Sequence, residues 1–159
     1  MNSPALTAIK NYRRIDDSVA TAGQPTAEQF PAIKAAGFET IVNLALADSP
    51  GAIDNEDALV RQLGLEYVHI PVEFKAPTPD RLRQFFEVMD TRKDKRVFVH
   101  CAYNFRVSAF VYLYRVIKGH CPAAEALTDM QAVWTPDDTW QAFIDQVLAV
   151  HDNDTERKP

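Results

Sequence analysis

In the stretch RVFVHCAYNFRVSAF, residues 96–110, Cys101 ends a short apolar run and Arg106 opens an apolar helix pattern, with four residues between them. A loop from the end of a buried strand to the head of a buried helix turns its backbone N–H groups inward. The first helical turn adds about half a positive charge. Such a loop cradles an anion, and its field favours thiolate over thiol at Cys101. Arg106 supplies a planar fork of donors suited to two oxygens of a tetrahedral oxyanion. Phosphate is the natural guest, with Cys101 as nucleophile. The competing reading makes Cys101 a small buried hydrophobe and Arg106 an unrelated helix residue. Against it, a permanent charge at the head of an apolar helix needs a counter-charge, and no acid lies between Cys101 and Glu125.

The elements that must position this loop follow from periodicity. One or two short strands are expected around RRIDDSVATAG. A helix follows from about Ala27 to Ala36, with Thr26 and Gln29 at capping-box spacing and Gly37 as its stop. FETIVNLAL reads as a buried strand, Asn55 to Leu63 as a helix stopped by Gly64, and EYVHI as a strand broken by Pro71. Thr78 caps a helix over TPDRLRQFFEVMDT, and RVFVH is the strand that delivers Cys101. The helix after it, VSAFVYLYRVIKG, is apolar nearly all round and therefore central. PAAEALTDMQAVW and PDDTWQAFIDQVLAVHD supply two more helices. Strands alternating with helices predict an α/β fold of three layers, a parallel or mostly parallel sheet covered by helices on both faces. Ligands bind such sheets at the carboxyl ends of the strands, where Cys101 falls.

The chain of 159 residues fits a single domain over 1–150, followed by a polar tail, 151–159, expected to fray. A formal charge of −5 argues against a nucleic-acid partner, because a negative surface repels phosphate backbones. The first twenty residues lack the apolar core of a signal peptide, and no apolar run is long enough to span a bilayer, so no membrane partner is expected and the protein reads as cytoplasmic. Cys101 and Cys121 flank a helix of about twelve residues and so stand roughly 18 Å apart, too far for a disulfide. His69, His100, His120 and His151 are scattered singly, so no metal and no other cofactor is expected. Composition leaves the oligomeric state open.

With the loop goes a wider likeness. From IDDSVATAGQPTAEQF through GFETIVNLAL and YVHIPVEFKAPT to VHCAYNFRVSAFVYLYR, the chain resembles the cysteine-dependent protein tyrosine and dual-specificity phosphatase superfamily, in particular its small atypical bacterial members. The resemblance implies a phosphatase-like fold with a central, mostly parallel sheet of about four strands flanked by helices, a phosphocysteine intermediate on Cys101 and phosphoryl binding by Arg106. It places His100, Ala102, Tyr103, Asn104 and Phe105 in the substrate-binding loop, with His100 orienting it. Two departures stand out. The superfamily usually has five residues between cysteine and arginine, so this cradle is one backbone donor short; rhodanese-type sulfurtransferases, which carry a persulfide, have a loop of the same length. Asn104 takes the place of a glycine, and Asn tolerates positive φ better than most residues. Ser108 lies two residues after Arg106 instead of directly after it, and to it falls the hydroxyl that eases thiolate departure.

The general acid expected from the resemblance lies in IPVEFKAPTPD, with Glu73 first and Asp80 next. Glu73 could equally be an ordinary solvated loop acid, and for Asp80 that reading is the stronger one, because the helix dipole already explains an acid in the first turn. WTPD, residues 134–137, is similar to a tyrosine-phosphatase acid loop but follows the arginine loop, and reads as a proline-started helix N-terminus. Tyr103, Phe105 and Phe74 could wall a slot for an aromatic phosphate or simply pack. The expected activity is phosphate monoester hydrolysis through Cys101, on a phosphorylated protein or a small phosphate ester. The alternatives are sulfur transfer through a Cys101 persulfide, or a non-catalytic phosphate-binding module.

Overall fold

The computed structural model describes residues 3–157. A short helix, α1 (Pro4–Thr7), leads into strands β1 (Arg13–Arg14) and β2 (Val19–Ala22). A 3₁₀ turn (Ala27–Gln29) and α2 (Phe30–Ala35) precede β3 (Thr40–Asn43), α3 (Glu56–Gln62) and β4 (Glu66–His69). Then come α4 (Pro79–Asp90), β5 (Val97–His100), α5 (Phe105–Ile117), α6 (Ala123–Val133) and α7 (Asp138–Arg157). The five strands are ordered β1-β2-β5-β3-β4, with β1 antiparallel to β2 and all other pairs parallel.

The helix expected over 27–36 is split. Pro31 has no N–H to donate to the Ala27 carbonyl, so the first turn closes as 3₁₀ and the α-helix starts at Phe30, with the Thr26–Gln29 capping box in place. The 151–159 stretch does not leave the body of the last helix at once, since α7 continues to Arg157. No helix among the described residues is long and apolar enough to cross a membrane.

Alternation along the central strands makes two cores. Val97 and Val99 of β5 and Val42 of β3 face a core with α4, α5, α6 and α7, in which Phe85, Phe110 and Trp140 are fully buried. Phe98 and Ile41, one residue out of phase, face α1, α2 and α3 with Phe30 and Ile33. The central helix α5 is buried continuously from Arg106 to Arg115. Its far-end cation, Arg115, is matched: Asp129 of α6 accepts from it at 2.5 Å and from Arg13 of β1 at 2.6 Å. Burial alone would raise the Asp129 carboxyl, but these two arginines hold it below its ordinary value.

Candidate active site

The carboxyl ends of the strands are in register, Ala22 and Asn43 both opposite His100, so the chain leaves β2, β3 and β5 side by side. The Cys101 loop is tied to the β2 exit through its backbone. Cys101 N–H donates to Ala22 O at 3.3 Å, and Gln24 N–H donates to Ala102 O at 3.0 Å. The approach is so close that a Cβ on Gly23 would sit 2.6 Å from the Ala102 carbonyl oxygen. Gly23→Ala is expected to push the loop out of place, lowering turnover by more than ~10-fold while the core, untouched, keeps the protein folded; steady-state kinetics beside a thermal melt check this.

Asn104 holds the loop's tightest bend at φ 69°, the left-handed region in which a glycine was expected. Its side chain adds what glycine cannot: Nδ2 donates to Asn11 O at 2.9 Å and to Thr21 Oγ1 at 3.0 Å. Asn104 is therefore fully buried beneath the loop. Asn11 Nδ2 returns a bond to Tyr103 O at 2.9 Å.

The loop opens onto a cavity of about 440 Å³. Cys101, Ala102, Tyr103, Phe105 and Arg106 form one wall. Glu73, Phe74 and Lys75, from the segment after β4, form another, and Leu46, Asp48, Ser49 and Pro50, from the segment after β3, complete it. Arg106 is 5% exposed and donates from one Nη to Val72 O at 2.9 Å, with its guanidinium 5.8 Å from the Phe74 ring centre. Among the described residues no carboxylate pairs with it, in contrast to Arg115 nine residues further along the same helix.

The aromatic side chains brace the two walls. The Trp134 ring lies flat on Phe105 with centroids 4.5 Å apart, and Trp140 Nε1 donates to Phe74 O at 2.7 Å. WTPD is thus a scaffold behind the site. Its Asp137 accepts from Trp140 N–H at the head of α7, so WTPD does start a helix, although Pro136 lies before the capping residue instead of in the first turn.

Three residues expected to bind substrate lie off the cavity wall. His100 is fully buried behind the loop, Asn104 beneath it, and the Ser108 hydroxyl donates to Phe105 O at 2.9 Å within α5. The reason for Ser108 is its position in the first turn, where a hydroxyl bonds back to its own helix. Asp80 is also outside, paired with Arg83 on the surface of α4. Conversely Asp48 and Lys75 line the cavity and the sequence reading passed them over; Asp48 follows β3, which only the sheet order shows to be the neighbour of β5.

Behind the loop, His100 Nε2 meets Glu56 Oε2 of α3 at 2.7 Å, and its Nδ1 meets Cys101 O at 3.2 Å. Glu56, 5% exposed, also accepts from Gln24 Nε2 at 2.7 Å. Burial alone would raise its carboxyl, but hydrogen bonds from His100, Gln24 and Tyr67, with the charge of His100, hold it below its ordinary value. Burial pushes the Tyr67 hydroxyl up to about 12, with Glu56 adding to the rise and the Asn43 hydrogen bond opposing it.

Residues 7–144 match the profile of a family described as PTP-NADK, DSP-PTPase phosphatase fused to NAD+ kinase. The chain belongs to that family. Among solved structures, this DSP-PTPase domain is similar to a DUF442 protein from Shewanella putrefaciens CN-32, with 34% identity, a TM-score of 0.83 and coverage of 92% of this chain and 97% of the other. TpbA of P. aeruginosa, solved in complex with pTyr, shares the fold at 18% identity and a TM-score of 0.68, over 96% of this chain and 99% of its own. A beta-lactamase hydrolase-like protein of Agrobacterium fabrum is 30% identical over 109 residues, 67% of this chain. The matched stretch spans 25% of that relative's length. The chain therefore has a phosphatase fold, and Cys101 lies in its loop between β5 and α5.

Proposed function

We propose that the protein hydrolyses phosphate monoesters through Cys101. The observation that carries this reading is Arg106: a buried guanidinium that pairs with no carboxylate among the described residues, on the same cavity wall as Cys101, suits an anion. The Cys101 thiolate attacks phosphorus, the ester P–O bond breaks, and Glu73 gives its proton to the departing oxygen. Glu73, now a carboxylate, takes a proton from water as the water oxygen attacks the cysteinyl phosphate, releasing inorganic phosphate and the thiolate. Arg106 and the loop N–H groups hold the phosphoryl oxygens throughout. The apolar wall of Leu46, Pro50, Phe74 and Phe105 suits an aromatic leaving group, and pTyr in the TpbA complex points to phosphotyrosine in a protein as the substrate class.

An aryl phosphate assay from about pH 5 to 8 without added metal tests the activity, and leaving-group dependence tests the acid. Glu73→Gln is expected to lower turnover of a nitrophenyl phosphate only a few fold and of a poorer leaving group by about 10²- to 10⁴-fold. Equal rates for Glu73→Gln and the parent on both esters, with a loss in Asp48→Asn, transfers the role to Asp48.

The four-residue spacing between Cys101 and Arg106 favours one second reading, sulfur transfer. There the Cys101 thiolate takes the outer sulfur of thiosulfate, releasing sulfite, and cyanide removes it as thiocyanate. Thiocyanate formation without aryl phosphate turnover selects this reading.

A further inference from the structure

The Glu56 carboxylate and the Cys101 carbonyl both accept, and His100 sits between them with one ring nitrogen on each, 2.7 Å and 3.2 Å away. With Glu56 ionised, both contacts are hydrogen bonds only when both ring nitrogens carry hydrogen. The ring is fully buried with the edge of Phe30 packed against it, so water offers no substitute. Its proton therefore depends on Glu56, which reaches it from the first turn of α3, 44 residues earlier in sequence.

We propose that Glu56 is a positioning residue for the reaction: by pairing with His100 it keeps an imidazolium behind the Cys101 loop, which fixes the Cys101 carbonyl and adds a positive charge to the loop's surroundings. This inference rests on the reading of Cys101 as the nucleophile. The groups that face Glu56 set its charge. From β4 come Tyr67 and, on the same outer cavity, His69; from α3 come Asp57 and Arg61, which pair with each other at 3.7 Å; Asp54 lies just before the helix. Gln24 and Asn43 complete its neighbours as neutral donors. A charge inside the fold is thereby tied to α3, an element that contributes nothing to the wall of the Cys101 cavity.

The test reads the thiol directly, so that it stands whether or not a phosphate ester is turned over. Glu56→Gln preserves shape: with its oxygen toward Gln24, its amide donates to His100 Nε2, and Nδ1–H still reaches Cys101 O while the charge is gone. Iodoacetamide alkylation of Cys101, followed by mass spectrometry of its peptide to separate it from Cys121, is expected to slow about tenfold at about pH 6 and to converge with the parent at about pH 9. Glu56→Asp is expected to restore much of the lost rate. Superimposable alkylation profiles for Glu56→Gln and the parent overturn the proposal. If Glu56→Gln does not fold, ¹⁵N NMR of the unsubstituted protein decides. His100 is expected to show a hydrogen on both ring nitrogens, and a hydrogen on only one of them overturns the proposal.

Discussion

Cys101→Ser is expected to give a folded protein that binds an aryl phosphate and does not turn it over. The side chain is fully buried at the base of the cavity, in contact with the core beneath α5. Serine is slightly smaller and its hydroxyl gains little there, so the melt should move by the equivalent of no more than about 1–2 kcal/mol. The hydroxyl, by contrast, is a weak nucleophile at its free pKa, and His100 is turned toward Glu56 and the Cys101 backbone instead of toward it. A loss of at least ~10⁴-fold in turnover follows, as for other enzymes deprived of their nucleophile. Rapid quenching of the parent with substrate should show a phosphoryl group on the Cys101 peptide. Turnover by Cys101→Ser within tenfold of the parent would place the nucleophile elsewhere.

What was legible in the sequence is what depends on near neighbours. RVFVH is a short, β-branched apolar run and VSAFVYLYR a longer one that is apolar nearly all round, so the junction at Cys101 declared itself, as did the ends of the helices at Gly37 and Gly64. Even the unmatched charge of Arg106 could be read, because the helix it opens holds no acid. What was not legible depends on sheet order. Nothing local says that β3 lies beside β5, so nothing singled out Asp48, in the loop after β3, or Glu56, in the first turn of α3. Its burial against His100 exists only once α3 has folded over the strand ends. Ser108 misled for the opposite reason: a hydroxyl near an arginine is a chemical cue, but in the first turn of a helix its own backbone claims it first.

Arg106→Met separates binding of an anion from stability of the fold. Removing the guanidinium leaves Val72 O without its donor, at a cost of about 1–3 kcal/mol. Against this, a buried cation with no carboxylate carries a desolvation penalty of several kcal/mol, which methionine of similar length lifts. The melting temperature of the anion-free protein is therefore expected to stay level or rise. Inorganic phosphate at 100 times its dissociation constant should stabilise the parent by about 2.7 kcal/mol and leave Arg106→Met unmoved. Turnover should fall by at least ~10³-fold, because the fork serves two oxygens in the transition state, where the loss of a single donor already costs ~10²- to 10³-fold. Arg106→Lys keeps the charge but not the fork, and should recover phosphate stabilisation before it recovers turnover. A variant with a large drop in melting temperature and undiminished phosphate stabilisation would mean that Arg106 serves the fold through Val72 alone, and the anion would have to be sought at Lys75, on the opposite wall of the same cavity.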